Sequence, residues 1–109
     1  MAPRHPISQL GSWEGYEVAA CNQELRGSRS WCVVELRVQA GRRRCCSGCF
    51  RWCGSIHDVE RRLVRDLPIF EHAVELIVPR VRVACLSCGP KLELLPWLEA
   101  YARITRRLS

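Results

Sequence analysis

Apolar and polar residues alternate from Val34 in the run Trp31-Cys-Val-Val-Glu-Leu-Arg-Val-Gln39, the period of a half-buried strand. Trp13 to Cys21 is also strand-like, and Asn22 to Ser30, with Gly27, Ser28 and Ser30, predicts the hairpin loop between them. An isolated two-stranded unit is marginal in water, so this hairpin must lean on the next element of the chain. A third strand is predicted over His57–Val64, ending at the corner Arg65-Asp66-Leu67-Pro68, and a fourth over Ala73–Ala84. In the fourth, Val74, Leu76 and Val78 share one face, and Val81 and Val83 share a face after a break. Pro79 cannot donate to a ladder, which predicts an edge strand or a bulge at Pro79. Beyond Leu95 the period changes. Pro96 suits a helix start, and Trp97, Tyr101, Ile104 and Leu108 recur at four, three and four residues, which predicts an α-helix. The helical pattern still runs at Ser109 without a capping signal, and is read as a truncation.

Two cysteine pairs punctuate this pattern, Cys46-x-x-Cys49 and Cys85-x-x-Cys88, with 35 residues between them. A two-residue gap lets one turn supply two thiolates, one edge of the tetrahedron that zinc prefers, with Zn–S near ~2.3 Å. Two such turns close a structural site with no open position for chemistry. The first pair has rivals: Cys45 with Cys49, or Cys49 with Cys53, and His57 lies four residues beyond Cys53. The second pair has none nearby. The fold expected is small, mainly β and metal-bound: an N-terminal β-hairpin on a four-cysteine zinc ribbon, with a C-terminal α-helix. The boundaries are a flexible arm over 1–12, the hairpin over 13–40, the ribbon over 41–95 and a helical region over 96–109.

Composition narrows the setting. With 109 residues and eight cysteines, a small domain needs a staple. The start, Met-Ala-Pro-Arg-His-Pro, shows no secretory signal, and the apolar runs are too short to span a membrane. A reducing cytoplasm is expected, where paired cysteines read as metal ligands. The formal charge is +6, and sixteen of seventeen basic residues are Arg, Lys91 being the exception. Ten Arg face three acids between Arg26 and Arg65, seven positive charges net around the first cysteine pair. The guanidinium fork suits phosphates and guanine edges, so nucleic acid is the expected partner. Candidate contacts are Arg42, Arg43, Arg44, Arg51, Arg61 and Arg62, joined by Arg103, Arg106 and Arg107 on the predicted helix. Four thiolates and a dication leave two net negative charges, so some of these Arg balance the site instead.

The order of motifs carries a resemblance. A first knuckle is followed by Ile-His-Asp, by Val-Arg-Asp-Leu-Pro, by an apolar strand into the second knuckle, and by Leu-Pro-Trp-Leu-Glu-Ala-Tyr-Ala-Arg-Ile-Thr-Arg-Arg-Leu. From about Trp13 to Ser109 this resembles the amino-terminal part of transposases of the ISL-three insertion-sequence family. The resemblance implies a zinc ribbon that binds the terminal repeats of a mobile element as double-stranded DNA. It also implies a following helix-turn-helix and an acidic catalytic domain, which 109 residues cannot hold, so the chain is expected to bind DNA without catalysis. It favours Cys46, Cys49, Cys85 and Cys88 as the zinc ligands. One departure is Phe50, where such ribbons commonly place Gly after the first pair.

Other partners considered are a second copy of the chain or a full-length transposase, which a stand-alone regulatory ribbon would inhibit. An enzyme using Cys45 or Cys53 as nucleophile lacks a Cys–His–acid arrangement. Cys21 and Cys32 read as core filler, or as a pair across the hairpin that a reducing compartment disfavours. Asp66 before a turn reads as structural, holding backbone N–H groups or an Arg. Three of the four Trp read as core; Trp52, beside Arg51, is the candidate for stacking on bases.

Overall fold

The structure is a computed structural model that describes residues 13–108; the predicted arm over 1–12 lies outside them. Among the described residues seven strands form: β1 Tyr16–Arg26, β2 Arg29–Val38, β3 Arg44–Cys45, β4 Trp52–Cys53, β5 Ile56–Ile69, β6 His72–Cys85 and β7 Gly89–Leu92. The main sheet has the order β1-β2-β6-β5, with β7 also on β6, while β3 and β4 make a separate two-stranded ladder. All pairings are antiparallel except β2 with β6.

The hairpin is longer and tighter than the sequence predicts. β1 runs on through Asn22 to Arg26, and Arg26 pairs directly with Arg29. Gly27, at φ +64°, takes the first central position of a two-residue turn, which matches the twist of the flanking strands and needs a residue free of a Cβ clash. β5 likewise runs through the predicted Arg65–Pro68 corner and turns at Phe70 and Glu71.

Pro79 sits neither at an edge nor in a bulge. It pairs with Arg61 in unbroken register, and the irregularities of this ladder fall between Ile56 and Asp58 and between Asp66 and Ile69. On the other side of β6, β2 pairs only with Ala73–Ile77 and β7 only with Arg82–Cys85. Pro79 occupies the gap between them. Its carbonyl accepts from the Tyr16 hydroxyl at 2.8 Å, and a residue's N and C=O point the same way in a strand, so the missing donor faces no ladder partner.

Strand β6 serves two cores. Alternate side chains leave opposite faces, so Val74, Leu76 and Val78 join Trp13, Cys32, Val34, Leu36, Val64, Leu95, Trp97 and Leu98 in the larger cluster. Val81, Val83 and Cys85, of opposite parity, form the smaller one with Cys46. The phase change in the sequence is thus an exchange of faces. A buried polar set joins the two ends. Arg80, 2 % exposed, donates to the Glu93 carbonyl at 3.1 Å. Glu93 lies 3.6 Å from Arg44, which donates to the Arg42 and Gln39 carbonyls. Burial raises both the Glu93 carboxyl and the Tyr16 hydroxyl, the latter to about 12.

The C-terminal α-helix predicted over 96–109 does not form; no helix occurs among the described residues. The expected stripe is scattered: Tyr101 and Ile104 are exposed, whereas Leu95, Leu98 and Thr105 are buried. A helix this short has little stability of its own, and its backbone finds tertiary partners instead. Arg65 N–H donates to the Arg103 carbonyl at 2.8 Å, Thr105 N–H to Arg65 at 2.9 Å and Arg106 N–H to Trp97 at 2.9 Å. The segment closes the free edge of β5 near Arg65 and caps the larger core, with the Trp97 indole donating to the Glu14 carbonyl at 3.0 Å.

Asp66 ties that closure down. Its fully buried carboxylate accepts from the Trp13 indole at 2.8 Å, Thr105 Oγ1 at 2.7 Å, Leu67 N–H at 2.8 Å and the Arg107 guanidinium at 2.7 Å.

Candidate metal centre and basic surface

Two turns converge at the end of β6. The first begins with Cys46, whose backbone bridges Glu93. Its carbonyl accepts from Phe50 N–H at 2.8 Å, and its N–H donates to the Arg51 carbonyl at 2.8 Å. The second runs from Cys85, the last residue of β6, to Gly89, its pairing partner at the start of β7. The first turn is held to the second hairpin by Ser47 N–H on the Leu92 carbonyl and Leu94 N–H on the Cys45 carbonyl, at 3.2 and 2.9 Å. Sheet register thus brings together two turns far apart in sequence.

The sulfurs of Cys46, Cys49, Cys85 and Cys88 all lie within 4.8 Å of one another. A tetrahedron with Zn–S of ~2.3 Å has edges of ~3.8 Å, and Cys49 Sγ stands 3.6 Å from Cys85 Sγ. The donor set, four thiols with no fifth position, therefore fits one tetrahedral, thiophilic dication. Gly48 N–H donates to Cys46 Sγ at 3.3 Å. A Cβ on Gly48 would stand 3.1 Å from Cys88 Sγ, so a side chain there crowds the sulfur cage.

The four thiols also crowd one another electrostatically. Backbone N–H groups of Cys88 and Ser87 donate to the Cys85 sulfur and bring its pKa down to about 6. Cys88 is pushed up to about 12, chiefly by its hydrogen bond with Cys49. Four thiolates so close cannot all ionise unless a positive ion lies among them.

The rivals are not among the four mutually close sulfurs, though Cys53 keeps a hydrogen-bond contact with Cys85 at the rim of the cage. Cys45 points to the Cys46 carbonyl at 3.8 Å, and Cys53 points to the Arg51 carbonyl at 3.8 Å from the rim of the smaller core. His57 is exposed on β5. Cys21 and Cys32 meet across the hairpin with sulfurs 3.0 Å apart, far in sequence from the four.

Phe50 accounts for the departure from Gly. It adopts φ +62°, the left-handed conformation Gly89 takes at +75° after the second pair. A non-glycine residue there costs roughly 1 kcal/mol or more, and the Phe50 ring is 65 % exposed, gaining little burial in return. Phe50→Gly is expected to raise the stability of the metal-loaded chain by about 1 kcal/mol, whereas Gly89→Val lowers it by a similar amount. Denaturant midpoints of the two variants check this; equal and opposite signs are not expected from a surface change alone.

The nine candidate Arg separate into groups. Arg44 is buried and internally bonded, and Arg107 is engaged by Asp66. Arg42 approaches Gln39, Arg51 donates to Ser87 Oγ at 3.0 Å, Arg62 lies over the Tyr101 ring and near Glu60, and Arg106 stands 3.6 Å from Glu99. Arg43, Arg61 and Arg103 are exposed, and among the described residues no partner is shown for them. Sequence reasoning missed a further basic group: Arg26, Arg29 and Arg65 stand 4.5, 5.8 and 4.8 Å from the buried Trp31 ring. Only sheet register brings these three to one ring. It also missed the buried Glu93 and Arg80.

Fold and site together define a small β-sheet protein whose sheet end carries a four-cysteine cage able to hold a metal ion. Among curated proteins, the chain is 40% identical over 110 residues to the transposase for insertion sequence element IS1001 of Bordetella parapertussis. The match covers all of this chain and 27% of that transposase, so the chain spans about a quarter of its relative's length. No family model and no solved structure matches.

Proposed function

We propose that this chain is a metal-clamped DNA-binding module of a transposase, related to the ISL-three family, that engages the terminal repeats of an insertion sequence without cutting them. The observation that carries the reading is the four-cysteine cage of Cys46, Cys49, Cys85 and Cys88, on a chain of net charge +6 similar to a transposase. Zinc is the ion the donor set favours, since four thiolates in a closed tetrahedron are a structural zinc arrangement. Its part is to fix the two turns, with the positive charge carried by the surrounding guanidiniums. The catalytic steps belong to the remainder of a full-length transposase, and the setting is cytoplasmic.

Charge and exposure select the contacts. Arg43, Arg61 and Arg103 have guanidiniums free to meet phosphates, and each phosphate contact adds about 0.9 to the slope of log affinity against log salt. Substituting any one by Ala is expected to weaken binding to a terminal-repeat duplex and lower that slope by about 1. Arg44→Ala is expected to lower folding stability instead, because it strips Glu93 of its ion pair. Salt-titrated fluorescence anisotropy, beside metal analysis of the purified chain, tests the reading. A loaded chain that shows no salt-sensitive affinity for DNA overturns it.

A further inference from the structure

Three of the four tryptophans are buried, at 6, 7 and 9 % exposure for Trp13, Trp31 and Trp97, but Trp52 is 62 % exposed. It stands on β4 opposite Cys45, two residues from Phe50, itself 65 % exposed. Leu86, at the tip of the second turn, is completely exposed. Arg51, between the two aromatics, reaches Ser87 in that turn, and Cys49 meets Cys85, so the two turns present their exposed side chains from one end of the molecule. The stretches 41–57 and 84–92 that build this end contain four Arg and Lys91 and no acid.

Such a surface is poorly suited to the outside of a paired duplex. The duplex presents phosphates, sugars and base edges and hides the faces of its bases, so exposed rings find no open face to stack on there. An unpaired base offers a π-face that every aromatic ring can stack on, and its phosphates meet the basic surround. The backbone beneath both rings is held: at Phe50 by its N–H on the Cys46 carbonyl, and at Trp52 by strand pairing. The main chain therefore need not be ordered when a base arrives.

We propose that Phe50 and Trp52 form a stacking platform for unpaired bases at the metal end of the chain, with Arg43 and Arg51 on the adjoining phosphates. This rests on the DNA-binding reading and adds what part of the DNA the metal end takes: a locally opened or single-stranded segment next to the duplex.

The test compares a terminal-repeat duplex with the same duplex carrying a short unpaired tail, using the full chain loaded with zinc. The chain is expected to bind the tailed form more tightly, and Phe50→Ala with Trp52→Ala to remove roughly 10-fold or more of that preference. Affinity for the plain duplex should stay within about 2-fold, and Trp52→Phe should restore most of the preference. Because Trp52 is the exposed indole, its fluorescence should fall on binding the tailed form and not on binding the plain duplex. Zinc content and strand content of each variant confirm folding; a misfolded Ala variant is replaced by Trp52→Gln, with the same expectations. Duplex binding without preference for the tail overturns the platform and leaves the DNA reading standing. Equal loss on both DNA forms likewise overturns the platform. Absence of binding to either form by the unaltered chain overturns both. Quenching that follows protein concentration without DNA identifies a second copy as the occupant and overturns the platform.

Discussion

On the zinc-clamp reading, replacing Cys85 by Ser is expected to abolish one-to-one zinc binding and to unfold the metal end of the chain. Cys85 closes β6, contacts Cys49 across the cage and receives two backbone N–H groups. A hydroxyl offers zinc no thiolate, and three ligands cannot complete the closed tetrahedron. Structural zinc contributes about 10–16 kcal/mol in small modules, so this is the largest single effect to be found here. The damage should be regional. The smaller core consists of Cys46, Val81, Val83 and Cys85, while the larger core holds its own Trp, Leu and Val side chains on the opposite face of β6. Hydrogen exchange should therefore become fast over 41–57 and 85–94 while the centre of β2 and β6 keeps protection. Chelation of the unaltered chain should reproduce the pattern, and Cys45→Ser and Cys53→Ser should retain about one zinc per chain. A Cys85→Ser chain that still loads one zinc would falsify the four-cysteine clamp.

Asp66→Ala is expected to cost about 1–3 kcal/mol for each buried donor it leaves unpaired, while Arg107, 36 % exposed, can turn to water. Arg107, Thr105, Trp13 and the Leu67 N–H all converge on this one carboxylate, so the variant leaves several donors without an acceptor. The same carboxylate makes the chain acid-sensitive. Burial raises its pKa, but donation from Arg107, Thr105, Trp13 and Leu67 together outweighs burial and holds it below the ordinary value. The native pKa is thus lower than the unfolded one near ~3.9. The stability it contributes is present in full above that unfolded value and is lost as the pH falls through the native one. Denaturant titrations at descending pH should show a loss of stability in the unaltered chain that is smaller in Asp66→Ala, where Asp58 and Glu75, held low by Arg82 and Arg26, still contribute. Parallel acid profiles for the two chains would exclude Asp66 as the source.

The fate of Asp66 also shows how the C-terminal segment escaped the sequence. Trp97, Tyr101, Ile104 and Leu108 have helical spacing, and spacing is all that local reading has. What decides the conformation lies about forty residues upstream: the carbonyl and N–H of Arg65, and the carboxylate of Asp66, which take the hydrogen bonds of residues 103–107. Pro79 teaches the same point. A ladder without a donor was legible, but its resolution, a gap between β2 and β7 on one side of β6, depends on which strands share that edge.

Order along the chain is enough to establish that the protein is mainly β, that a hairpin stands at its start, that Cys46-x-x-Cys49 and Cys85-x-x-Cys88 are the pairs to watch, and that Arg dominates its charge. These properties rest on alternation, spacing and composition, which are local and countable. Folding in three dimensions was needed to bring the four sulfurs into one cage, to divide the faces of β6 between two cores, to turn Arg44 and Arg107 to internal partners while Arg43, Arg61 and Arg103 face water, and to make residues 96–108 clasp β5 instead of coiling. The physical reason is one of range: a backbone group or a guanidinium takes whichever partner the register of distant strands brings near, and no count along the chain records that proximity.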